Sequence, residues 1–333
     1  MKTGFWFDLL VIVGFSLMLF TSCKKEKVIL FPEVSTTEVE TITPTSASCS
    51  GIVISQGSSE IIEKGICWSN EPLPTISNYK TIERLFPSFD RFLGNLTGLN
   101  VNTIYFVRAY ARSESGTAYG NELSFTTPFD HSGEKGTVID IEGNIYQTIG
   151  IGDQYWTTEN LKTTKYNDGT DILLVKDNMA WDFHINPGYC WYNNDSTYKN
   201  IYGALYNWDA VNTIKLCPQG WHVPSDAEWT VLETYLGGRS VAGGKMKETG
   251  NNHWKGLNRG ATNESGFTGL PGGFRGSNGS FVSIREGSVF WSSTSTKTMP
   301  SAAIWRAQDY LAAEITRGGN SPNWGASVRC IKD

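Results

Sequence analysis

Along this chain the spacing of apolar positions changes character several times. Residues 9–20 form an unbroken apolar run, with Lys2 ahead of it and Thr21-Ser22-Cys23 behind. Between Glu33 and Pro128 apolar residues alternate over short stretches, 48–54, 62–68 and 103–111, separated by Gly, Pro, Asn and Ser. A period of two with that punctuation predicts strands and turns throughout. Tyr105, Val107, Ala109 and Ala111 fall on one face, and Leu99 supplies a corner against which the Tyr105 ring packs and bonds its hydroxyl to backbone.

From Thr137 the pattern shifts. Residues 137–141 and 146–151, joined through Glu142-Gly143-Asn144, predict a hairpin, and Gly152-Asp153 turns the chain into Gln154-Tyr155-Trp156. Tyr202, Leu205, Tyr206 and Asp209 have helical spacing and predict a helix over 202–212. The strongest helix begins at Ser225, a capping residue with Glu228 three positions on. Trp229, Leu232, Tyr235 and Leu236 then share one face, and Gly237-Gly238 supplies the left-handed stop. Residues 239–288 read as loops; 289–294, 302–306 and 327–331 read as closing strands.

Composition narrows the class. A content of 39% hydrophobic and 18% charged residues fits folded rather than disordered protein. Twelve Trp and 35 Gly suggest β-rich structure with many tight turns. A net charge of -5 offers no electrostatic case for nucleic acid. Residues 1–22 read as a signal peptide. They resemble a bacterial lipoprotein signal, in which Cys23 becomes the lipid-modified N-terminus and residues 23–33 a tether to the membrane. The alternative is an uncleaved anchor, but residues 5–20 contain Asp8 and fall short of the roughly 20 that a spanning helix needs.

Reactive groups are sparse. The six cysteines contain no CxxC, so neither a zinc site nor a redox pair is expected. There is no GxSxG, and four histidines (131, 184, 222 and 253) offer few bases. His222 in the turn before Pro224 reads as a hydrogen-bonded structural group, and Asp226 and Glu228 are accounted for by capping. Gly150-Ile151-Gly152 lacks the third glycine and following helix of a nucleotide loop.

Two resemblances then add detail. Residues 34–128, with Gly65-Ile66-Cys67-Trp68-Ser69, resemble a fibronectin type III-like β-sandwich, a module that usually serves as a spacer. Residues 129–136 read as a linker. Residues 137–333 resemble the Fibrobacter succinogenes major paralogous domain. The motifs that carry this are Asn160-Leu161-Lys162, Tyr202-Gly203-Ala204-Leu205-Tyr206-Asn207-Trp208, Leu216 to Trp229, Asn263-Glu264-Ser265-Gly266-Phe267, Leu270-Pro271-Gly272-Gly273, Phe290-Trp291-Ser292-Ser293-Thr294 and Ser327-Val328-Arg329-Cys330. That family is similar in turn to the C-type-lectin-like fold of formylglycine-generating enzymes. The resemblance implies an α+β domain of two helices on twisted antiparallel strands, with close termini and a Cys217–Cys330 disulfide. Cys49–Cys67 stays open, and Cys190 reads as a buried thiol. The copper-binding cysteine pair of those enzymes is not matched, because Cys330 is alone in its region. The calcium motifs of lectins are not matched either, so no cofactor or metal is expected. The resemblance places ligands near His253, Trp254, Asn263, Glu264, Arg275 and Trp291, whose rings and amides suit a sugar.

The reading is an all-β sandwich followed by an α+β C-type-lectin-like domain, lipid-anchored at a bacterial cell envelope. Its expected role is non-catalytic recognition of extracellular glycan or protein. An envelope enzyme on this scaffold and a purely structural surface protein are the alternatives.

Overall fold

In the computed structural model, which describes residues 28–83, 91–182, 186–296 and 302–333, alternating burial shapes the first third of the chain. Its strands are β1 (Glu33–Glu40), β2 (Ser46–Ser55), β3 (Ile61–Ser69), β4 (Tyr79–Lys80), β5 (Arg91–Thr97), β6 (Ile104–Ser113), β7 (Gly116–Tyr119) and β8 (Leu123–Thr126). They make two sheets, β1-β2-β5 and β4-β3-β6-β7, with β8 also paired to β6. One core joins their inner faces: Val53, Phe92 and Leu96 meet Ile66, Trp68, Val107 and Ala109. The Tyr105 hydroxyl accepts the Asn100 N–H at 3.0 Å, fixing the corner ahead of β6. Cys49 and Cys67 are buried free thiols, pushed up by desolvation to about 12 and about 11, and so behave as small apolar groups. Cys23 and His184 lie outside the described residues; among the described residues no helix is long and apolar enough to cross a membrane.

The rest of the chain is also mostly sheet. Its strands are β9 (Lys135–Ile139), β10 (Ile145–Ile151), β11 (Gln154–Thr157), β12 (Leu173–Leu174), β13 (Gly188–Cys190), β14 (Leu205–Tyr206), β15 (Trp221–His222), β16 (Gly272–Arg275), β17 (Phe281–Ile284), β18 (Gly287–Ser295), β19 (Ala303–Asp309), β20 (Ile315–Asn320) and β21 (Ile331–Lys332). The sheets run β15-β21-β11-β10-β9, β12-β13-β14 and β17-β16-β18-β19-β20. The last strand enters between β11 and β15, with Ile331 opposite both Trp156 and His222. That register carries Cys330 to Cys217, and the two form a disulfide with Cα atoms 6.0 Å apart. His222 joins the same junction, bonding Asp333 through Nδ1 at 2.7 Å and Glu228 through Nε2 at 2.8 Å. Cys190 is buried and free.

Two helices of any length pack here, α4 (Asp226–Tyr235) and α5 (Arg239–Met246), after the short α1 (Asn178–Asp182), α2 (Lys199–Tyr202) and α3 (Trp208–Val211). Ser225 and Glu228 form a reciprocal capping box at the start of α4. Gly237 and Gly238, at φ 96° and 94°, end it, and the Gly238 N–H reaches back to the Glu233 carbonyl at 2.8 Å. Trp229 and Leu232 are fully buried against Trp156, Phe267 and Phe290, each burial being worth roughly 1.5–3 kcal/mol.

The helix expected over 202–212 does not form. Gly203 turns at φ 74°, in a place where a Cβ would lie 2.6 Å from the Leu161 carbonyl oxygen. Leu205 and Tyr206 then pair with Cys190 and Tyr189 as a strand, and Asn207 caps the one-turn α3. Conversely α5 occupies a stretch expected to be loop. Its two internal glycines, poor helix formers, are there for packing: a Cβ on Gly243 would come 2.4 Å from the Glu314 carbonyl oxygen, and one on Gly244 2.3 Å from that of Gly260.

Long loops carry carbonyls that no ladder satisfies, and buried cations fill that need. Arg329 donates to the Thr157, Phe267 and Thr268 carbonyls at 2.8, 2.8 and 2.9 Å and to Asn160 Oδ1 at 2.6 Å. Lys247 donates to the Arg259, Asp309 and Ala312 carbonyls. Arg306 pairs instead with Glu233 and Asp226, joining β19 to α4.

Candidate functional site

The residues expected to face ligand divide sharply. Trp254 is fully buried; its indole N–H donates to the Gly269 carbonyl at 3.1 Å and its ring lies beneath the Lys247 ammonium. Trp291 is likewise buried, donating to the Tyr206 carbonyl at 2.8 Å. Arg275 is buried between the Trp181 and Phe281 rings and donates to the Val175, Lys176 and Gly279 carbonyls and to Asn178 Oδ1. These three hold loops in place, and Trp254 and Arg275 do not join Glu264 at an open concavity. His253 is partly exposed, paired with Glu248 at 2.9 Å and set edge-on to Tyr202.

Asn263 and Glu264 do reach an open place. They line a surface cleft of about 610 Å³ together with Ser132, Lys135, Tyr235 and Lys245, over a floor of Ile149 and Gly150. Asn263 itself serves the turn: its amide accepts from Thr268 N–H at 2.9 Å and donates to the Thr268 hydroxyl at 3.1 Å. Ser265 Oγ ties the same turn to α5 through the Lys245 carbonyl at 2.9 Å. The rigid turn therefore presents Glu264, which meets Lys245 Nζ at 2.9 Å with both side chains part-exposed. Such a pair adds little to stability, about 0–1 kcal/mol, and both partners remain open to a ligand.

Across the cleft the Tyr235 hydroxyl bonds Ser132 Oγ at 2.7 Å and Asp130 at 3.1 Å, and Ser132 Oγ also accepts the Gly152 N–H. Burial works against the Asp130 charge, but bonds from Ser132 and Tyr235 outweigh it and hold the carboxyl below its ordinary range. The Ser132 hydroxyl is thus committed to the wall. Lys135, at the start of β9, is exposed. The arrangement offers both charges and several hydrogen-bonding groups around a small apolar floor, which suits binding. Among the described residues no three His, Cys, Asp or Glu side chains are grouped to hold a metal.

Sequence reading reached Asn263 and Glu264 but missed Ser132, Lys135, Tyr235 and Lys245. They come from the linker, a strand and two helices, so no local spacing joins them.

A β-rich domain closed by a disulfide between its last strand and the turn before its main helix is the class that this fold defines. Residues 149–332 match the Fibrobacter succinogenes major domain, and the chain belongs to that family. No curated protein sequence matches the chain. Among solved structures, two of the sensor domain of the anti-sigma factor RsgI4 in Pseudobacteroides cellulosolvens show similarity at 17% identity and a TM-score of 0.23. The similarity covers 29% of this chain and 94% and 76% of those chains, and at that score it does not define a shared fold.

Proposed function

We propose that this is a lipid-anchored cell-envelope protein whose C-terminal domain recognises extracellular glycan or protein without catalysing a reaction. In this reading Cys23 carries the lipid, the fibronectin type III-like sandwich acts as a spacer, and the family domain has a C-type-lectin-like architecture. The observation behind the proposal is the cleft, where exposed Lys135 and Glu264 and half-exposed Lys245 stand around a floor of Ile149 and Gly150. At the cleft the Ser132 hydroxyl is already engaged with Tyr235, and elsewhere in the domain Cys217 is bonded to Cys330 and His222 to Asp333 and Glu228.

The test is capture of envelope glycans and secreted proteins by the purified full chain, beside the double variant Lys245→Ala with Glu264→Ala. Binding should fall about tenfold or more while melting stays nearly constant, since the exposed pair contributes at most about 1 kcal/mol to stability. Binding indifferent to this change would refute the cleft as the site.

A further inference from the structure

A second surface shares no residue with the cleft. In the β19–β20 pairing Trp305 stands opposite Gly318, Ala307 opposite Thr316 and Ala303 opposite Asn320. Cross-strand partners share a face, so Trp305 is flanked there by Thr316 and Asn320. Arg306 and Arg317 lie on the other face, bound to Asp226 of α4. The glycine lets the indole lie over the strand: a Cβ at Gly318 would come 2.2 Å from Trp305 Cζ2, with Cη2 and Cε2 within 2.7 Å. Beyond Trp305 the Trp324 ring follows at 6.4 Å and 12° between planes, and Phe274 stacks on Trp324 at 4.6 Å and 16°. All three rings are only partly buried, and β20 is the edge strand of its sheet. Thr316 is exposed, and the Asn320 amide nitrogen has no partner among the described residues.

We propose that this ring row is a binding platform for a neutral polysaccharide chain. A pyranose ring turns an apolar C–H face toward an aromatic ring and a rim of hydroxyls toward neutral donors and acceptors. The platform supplies both, with Trp305 and Trp324 for the sugar faces and Thr316 and Asn320 for the rim. The side chains beside Trp305 on that face, Ala303, Ala307, Thr316 and Asn320, are uncharged, and Asp309 at the far end of β19 on the same face is acidic, which favours a neutral chain over a uronate. This deepens the recognition reading by naming a ligand class, at a place separate from the cleft.

The experiment is affinity electrophoresis of the full chain in gels containing hydroxyethylcellulose, xylan, mannan or, as the charged control, polygalacturonate, with Trp fluorescence titrations alongside. At least one neutral polymer should retard the protein and perturb Trp emission, while polygalacturonate does not. Trp305→Ala and Trp324→Ala should each weaken that binding about tenfold, the factor that roughly 1.4 kcal/mol of lost stacking produces. If either alanine variant misfolds, the exposed Thr316→Ala with Asn320→Ala pair provides the test, with an expected loss of several-fold at constant melting. The cleft variant Lys245→Ala with Glu264→Ala should bind the neutral polymer normally. Failure of every neutral polymer to bind, or retention of binding in folded platform variants, overturns the proposal. Loss of polymer binding in the cleft variant alone overturns the platform and leaves the cleft reading standing.

Discussion

Replacing Lys247 by Met tests how the loop-rich domain is held together. The ammonium is fully buried and donates to the Arg259 and Asp309 carbonyls at 2.9 Å and to that of Ala312 at 2.8 Å. It also lies 5.3 Å from the centre of the Trp254 ring. The Arg259 and Ala312 carbonyls have no other donor among the described residues, whereas that of Asp309 also meets the Ala312 N–H at 3.4 Å. Methionine fills similar space but orphans two acceptors, at about 1–3 kcal/mol each. Against this stands the desolvation of the charge. Burial pushes the amine from 10.5 down to about 8, which corresponds to roughly 3 kcal/mol that the uncharged side chain recovers. Together the two acceptors cost about 2–6 kcal/mol against the roughly 3 kcal/mol recovered, so near pH 7 the mid-range balance leaves Lys247→Met less stable by about 1 kcal/mol, or a few degrees in Tm for a domain of this size.

The pH dependence follows from the same amine. Its folded value lies below the unfolded one, so between about 8 and 10.5 the unfolded chain binds the extra proton and the wild type gains stability as pH rises. The gap between wild type and Lys247→Met, measured by calorimetry on the full chain, should therefore widen from pH 7 to pH 9.5 in wild type's favour. A variant more stable than wild type by more than about 1 kcal/mol at pH 7 would refute the carbonyl argument. A gap that stays constant with pH would refute the depressed amine.

Two further outcomes are expected. Burial opposes the His222 charge, but the bonds to Asp333 and Glu228 outweigh it and raise the imidazole above 6.5. Its contribution is complete below about 6.5 and lost as pH rises through the higher folded value, so wild type should lose stability relative to His222→Asn across that window in denaturant titrations. Removing the disulfide with Cys217→Ser and Cys330→Ser together opens a loop spanning 113 positions and should lower stability by about 4 kcal/mol, read from the same titrations.

How legible each part was depended on the range of the forces behind it. The α4 helix was plain in the sequence because Ser225, Glu228, Trp229, Leu232 and Gly237 act within one helix, through capping and one apolar face. The strands around Tyr105 and the hairpin of β9 and β10 were legible for the same reason, since alternation is local. By contrast α5 was hidden by Gly243 and Gly244, which serve Glu314 and Gly260 rather than the helix. The apparent helix over 202–212 yielded to the long-range pairing of Leu205 and Tyr206 with β13.

The site followed the same division. From Trp254, Arg275 and Trp291 the sequence suggests flat or charged groups for a ligand, but their distant partners draw all three inside. By itself, then, the sequence determined the capped helix, the alternating strands and the family to which the chain belongs, because those features lie in short stretches of residues. Only tertiary structure decided which aromatic rings stay at the surface. That choice rests on strand register and on where an orphaned carbonyl needs a donor, and both are settled between segments far apart in the chain.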